Sequence, residues 1–81
     1  MNSALHQQLL AAHEQDDPVL LAGLYGQAAN EAEACGNVDE TCFFLTQAYV
    51  FALEGGLSDA AQYNGRLAAY GRDVLRNDLA G

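Results

Sequence analysis

The stretch Thr41 to Leu53, TCFFLTQAYVFAL, decides how the chain reads. On a helical wheel at about 100° per residue its apolar side chains run round almost the whole circumference, interrupted only by Thr41, Thr46 and Gln47. A helix that is apolar on nearly every side has to be covered on nearly every side. The flanking segments are expected to supply that cover, which makes the protein all-α.

Reading outward, Glu54-Gly55-Gly56 is a double stop after this helix, and Asn37 with Glu40 three residues later has the form of a capping box at its start. Gly36 behind Cys35 ends the preceding helix. That helix opens at Asp17-Pro18, an N-cap followed by a proline at the first helical position, where no amide hydrogen is missed. Its Leu21, Leu24, Tyr25, Ala28 and Ala32 form an apolar stripe, with Ala22, Gly26 and Ala29 as a small-residue stripe beside it. A glycine inside a helix weakens it by about 1 kcal/mol relative to alanine. Gly23 and Gly26 therefore point to the close approach of another helix backbone.

Ser3 is read as the cap of a first helix carrying Leu5, Leu9, Leu10 and Ala12, and Ser58 as the cap of a fourth carrying Tyr63, Leu67, Tyr70 and Val74. The expected helices span about 3–15, 18–34, 38–54 and 58–76 of a single domain, 1–81. Turns this short imply antiparallel neighbours, arranged as two helical hairpins or as a compact four-helix bundle. A faint internal echo supports hairpin pairing: Gln7 to Glu14 resembles Gln47 to Glu54 at an offset of forty, and Tyr25-Gly26-Gln27 resembles Tyr70-Gly71-Arg72 at forty-five.

Eleven acidic residues stand against three arginines and no lysine, and residues 1–65 hold no Lys or Arg at all. A net charge of −8 repels nucleic-acid phosphate and anionic membrane surfaces, so neither is an expected partner, whereas a basic peptide or protein face is attracted. Only 17% of residues are charged, below the usual quarter or so, and the chain is globular, not a solvated tail. With no apolar run of membrane-spanning length and no signal-like N-terminus, the expected location is cytoplasmic, with Cys35 and Cys42 reduced.

The segment Ala32 to Ala48, AEACGNVDETCFFLTQA, resembles the centre of a tetratricopeptide repeat: a helix ending in Gly-Asn, then a small residue, a large apolar residue four later and an alanine three after that. Those places hold Gly36-Asn37, Thr41, Leu45 and Ala48; the same register puts Tyr25 at the bulky first-helix position and Ala28-Ala29 at the family's Leu-Gly pair. Ala32, Thr41 and Leu53 depart from the family's aromatic, alanine and proline. The resemblance covers about one repeat of roughly 34 residues. It implies a hairpin architecture that binds proteins or peptides, and brings no catalytic residue.

Cys35, Cys42, His6 and His13 are zinc-competent donors, but the cysteines are separated by six residues where zinc sites use about two to four, and histidines seven apart lie about 10 Å from each other along a helix. No metal and no cofactor is expected. Four short helices offer little room for a substrate cleft, Ser3 and Ser58 are explained as caps, and Asp16-Asp17 and Asp39-Glu40 as turn and first-turn residues. An enzyme is not expected.

The functional expectation is a small acidic protein-interaction module or adaptor, the alternative being an acidic inhibitor that mimics a polyanion on a basic protein surface. Within the central helix, Leu45, Ala48 and Ala52 should face the second helix, leaving Phe43, Gln47 and Val50, with Phe51 beside them, as the partner surface. An uncovered face of that kind is often buried by two-fold pairing, so a homodimer is expected as well.

Overall fold

The computed structural model describes residues 3–72. Among them the protein is all-α, with α1 (Ser3–Gln15), α2 (Pro18–Ala34), α3 (Val38–Glu54) and α4 (Asp59–Ala69). The principal contacts follow chain order, α1 on α2, α2 on α3 and α3 on α4, and α4 also reaches α2 through Tyr63 and Tyr70. The Cα atoms occupy 37 × 29 × 16 Å, a thickness matching about two helix layers with axes 8–10 Å apart.

The core divides into two clusters on either side of the α2–α3 hairpin. Ala22 and Ala29 of α2 meet Leu45, Ala48 and Ala52 of α3, closed over by Tyr63 and Leu67 of α4. On the other side Leu5, Leu9 and Ala12 of α1 pack on Leu21, Leu24 and Ala28 of α2. Tyr25, Phe44 and Phe51 touch both clusters and join them. The alanine-lined contact between α2 and α3 lets the two helices approach closely, so the hairpin is the spine on which α1 and α4 rest.

All four helices end in the same way. The carbonyls of Ala12, Ala32, Ala52 and Leu67 accept hydrogen bonds from the amides of Asp17, Asn37, Leu57 and Arg72, five residues on, with a left-handed residue (Asp16, Gly36, Gly56, Gly71) in each turn. This motif satisfies carbonyls that a helix end would otherwise orphan. At Asp16, φ is +54° without the glycine that usually accepts such a value, and a short polar side chain is the next best tolerated. The first three turns recur every twenty residues, at Asp16, Gly36 and Gly56. The echo at offset forty is matched by this rhythm to the extent that Ala12 and Ala52 accept equivalent closing bonds, as Ala32 does between them. The echo at forty-five is not, because Tyr25 lies inside α2 while Tyr70 is the C-cap of α4.

Three local expectations are corrected. The fourth helix stops at Ala69 and not at 76, because the left-handed turn residue Gly71 (φ +75°) ends it; Val74 and Arg76 lie outside the described residues. Ser58 makes no capping bond: its backbone is already helical, and the turn closes instead through the Leu57 and Ser58 carbonyls. The first helix is described from Ser3 onward, and its capping lies outside the described residues. The two glycines of α2 also differ. A Cβ at Gly26 would lie 2.5 Å from the Tyr63 hydroxyl, whereas one at Gly23 would meet nothing within 4 Å. Only Gly26 marks a close approach, and what approaches is a tyrosine ring, not a helix backbone.

The caps of α2 and α3 are as expected. Asp17 Oδ1 accepts from the Leu20 amide at 3.2 Å, and Asn37 Oδ1 from the Glu40 amide at 3.0 Å. Glu40 returns the contact through the Asn37 side chain, its Oε2 accepting from Nδ2 at 3.0 Å, because the Asn37 amide is already engaged by Ala32. Asn37→Ala removes both bonds and is expected to destabilise the domain by about 0.5–2 kcal/mol. At roughly 4–8 °C per kcal/mol for a domain of this size, a thermal melt should show it clearly; an unchanged midpoint would mean the cap contributes nothing.

Candidate functional site

The outer face of α3 follows from its period. Glu40, Phe43, Gln47, Val50 and Glu54 recur at alternating spacings of three and four and so share one row, opposite the buried Leu45, Ala48 and Ala52. Neither neighbouring helix closes over this row. α4 covers the flank of Cys42 and Tyr49, and α1 lies toward Phe44 and Phe51. Phe43 is consequently 56% exposed, and it meets Phe44 edge to face at 5.4 Å between ring centroids. Gln47 and Val50 are half-buried, and Glu40 and Glu54 are exposed at the two ends. Leu53, on the α4 side, is 53% exposed. The central helix is thus covered on its inner face by α2 and on two flanks, with the outer row left open, and the expectation of near-complete cover is corrected.

Of the four residues read as a partner surface, Phe43, Gln47 and Val50 fall together. Phe51 does not join them: it stacks on Tyr25 (centroids 5.8 Å apart, planes 6° apart) and receives the edge of His13 at 5.9 Å. His13 Nε2 lies 2.9 Å from the Tyr25 hydroxyl. This bracket of one side chain each from α1, α2 and α3 was hidden in sequence, where His13 and Phe51 are thirty-eight residues apart. Burial raises the Tyr25 pKa above its ordinary value of 10.0.

Beside Phe43, where α4 ends, lies an open depression of about 440 Å³ lined by Asp39, Cys42, Phe43, Thr46, Gly71 and Arg72. Arg72 pairs with Asp39 at 3.0 Å across its rim, and this hydrogen bond raises the Arg72 pKa. Arg66 is engaged likewise, with Glu33 at 3.4 Å, and the same carboxylate accepts the Tyr70 hydroxyl and thereby raises that phenol's pKa. Both arginines among the described residues are therefore committed to carboxylates of the domain. A second, smaller hollow of about 200 Å³ separates α2 from α3 near Ala28, Ala32, Phe44 and Glu40.

Five further acids lie in the joints at the opposite end. There the α1–α2 joint meets the α3–α4 joint, since a Cβ on Gly55 would come within 2.9 Å of Val19 Cγ2. Glu14, Asp16 and Asp17 belong to one joint, and Glu54 and Asp59 to the other. Among the described residues no three His, Cys, Asp or Glu side chains are grouped as metal ligands. Cys42 is buried under α4 and Cys35 is exposed at the end of α2, both as free thiols. Among the same residues no helix is long and apolar enough to cross a membrane. Comparison with protein-family models, with curated proteins and with solved structures gave no match.

Proposed function

We propose that the protein is a small acidic interaction module of tetratricopeptide-like architecture, cytoplasmic and without catalytic activity, that holds a protein partner against the outer face of α3. The observation that carries this reading is Phe43, an aromatic side chain more than half exposed on a row with Val50 that neither α1 nor α4 covers. Exposed aromatic side chains of this kind supply the anchors of protein interfaces. The α2–α3 hairpin around Gly36-Asn37, with Thr41, Leu45 and Ala48 buried against α2, supports the architecture. In the cytoplasm the thiols of Cys35 and Cys42 stay reduced. Two occupants of this face are to be distinguished: a second copy of the chain, giving a homodimer, and a different protein.

The acidic end formed by Glu14, Asp16, Asp17, Glu54 and Asp59 favours a second reading, in which the domain occupies a basic protein surface by charge mimicry. Parallel affinity purification from the source cell with wild type and Phe43→Glu separates the two. A partner that survives about 1 M salt, where screening acts within roughly 3 Å, and is lost with Phe43→Glu supports the α3 face. A partner released by salt and indifferent to Phe43 supports the mimic instead.

A further inference from the structure

The charges on the α3 face select among its possible occupants. Along the row Glu40, Phe43, Gln47, Val50, Glu54 the apolar residues sit inside and a carboxylate stands at each end, a rise of about 21 Å along the helix from Glu40 to Glu54. Among the described residues Arg72, which lines a depression with Phe43, is already bound to Asp39 at 3.0 Å. A second copy fits this row poorly. If two α3 helices paired antiparallel about Gln47, Glu40 of each would face Glu54 of the other; if they paired parallel, each carboxylate would lie beside its own counterpart. Either arrangement sets like charges together, on molecules that each carry a net charge of −8.

Resting on the proposed function above, we propose that the occupant is a basic amphipathic helix of another protein. It would present two apolar side chains at heptad spacing to Phe43 and Val50, with a Lys or Arg beyond each to meet Glu40 and Glu54. The alternation of three and four along the row is the spacing that packs a neighbouring helix at a shallow crossing angle, side chain into gap. Gln47, at the centre, is matched by a polar residue of the partner, which fixes register as buried polar positions do in paired helices. The Glu40 carboxylate is pre-oriented for this, held by Asn37 Nδ2 at 3.0 Å.

The test uses synthetic helical peptides of about 20 residues, long enough to span the row. One carries Lys-Leu-Gln-Leu-Lys at successive spacings of three and four; a second has Glu for Lys; a third has the first peptide's composition with its leucines moved off the row. Titration is by fluorescence anisotropy at about 0.15 M salt. The Lys peptide is expected to bind at least about tenfold more tightly than either control, a difference lost with Glu40→Gln/Glu54→Gln, and Phe43→Ser should weaken it at least about tenfold. Circular dichroism of the variants checks that they remain folded, as substitutions at exposed positions should. If the Lys and Glu peptides bind alike and both depend on Phe43, the basic-partner inference falls while the interaction face stands. If no peptide responds to Phe43→Ser, the face itself is wrong and the proposed function falls with it. Sedimentation of the free protein as a dimer that Phe43→Ser dissociates would make the second copy the occupant and overturn the inference.

Discussion

Leu45→Ala is expected to bring the domain close to unfolding at room temperature. Leu45 is completely buried, and the cluster around it is largely alanine: Ala22, Ala29, Ala48 and Ala52. Alanine has no rotamer that could swing into a vacated space, and the α2–α3 contact it lines is already tight. The cavity should therefore persist, placing the loss in the upper part of the range of about 2–5 kcal/mol for Leu→Ala. Eighty-one residues at roughly 0.05–0.15 kcal/mol each carry only about 4–12 kcal/mol in total. Urea unfolding measures the change directly. Leu53→Ala, at a residue 53% exposed on the same helix, is the control and should stay within about 0.5 kcal/mol of wild type. A loss below about 1.5 kcal/mol at Leu45 would show that the cluster collapses after all.

Gly26→Val is expected to cost about 3 kcal/mol, although removing a glycine from a helix ordinarily stabilises it. The new Cβ would stand 2.5 Å from the Tyr63 hydroxyl and 3.1 Å from two ring carbons. The ring cannot simply turn aside, being 7% exposed and tethered through its hydroxyl to the Ala22 carbonyl at 3.4 Å. Gly26→Ala should lose about 1–2 kcal/mol for the same reason. Gly23→Ala, three residues away in open space, should gain about 0.5–1 kcal/mol. The opposite signs are the diagnostic feature. Introducing Tyr63→Phe, which removes the closest atom, should shrink the Gly26→Ala penalty by at least about 0.5 kcal/mol in a double-mutant cycle. Equal responses at the two glycines would leave no role for the Tyr63 contact.

The twenty-residue rhythm shows how local physics fixed the element boundaries. Gly36 and Gly56 stop their helices because a left-handed turn residue costs glycine little, and Asp17 and Asn37 start theirs because a short polar side chain beside an extended backbone reaches the free amides. These are interactions between residues a few positions apart, so they are written in consecutive letters. Where the local signal was misleading, a competing local interaction accounts for it. Ser58 has the composition of a cap but a helical backbone, and the turn at Gly71 outweighed the apolar stripe expected to carry α4 to residue 76.

The sequence by itself determined that the chain is all-α, where α1, α2 and α3 lie, and that α3 presents Leu45, Ala48 and Ala52 to its neighbour, because each depends on periodicity and capping within one helix. Only the tertiary structure decided that Phe51 is withdrawn from the open face of α3 while Phe43 stays on it. Phe43 and Phe51 are both large aromatics on the same helix, and hydrophobicity does not separate them. One meets Tyr25 and His13 and the other meets solvent because α1 settles on α2 and reaches α3 only at the Phe44–Phe51 side. Gly26 and Gly23 divide in the same way, by whether the ring of Tyr63, distant in the chain, arrives above them. Such choices rest on distances between segments that no local pattern encodes, since they arise from how the helices share one limited apolar surface.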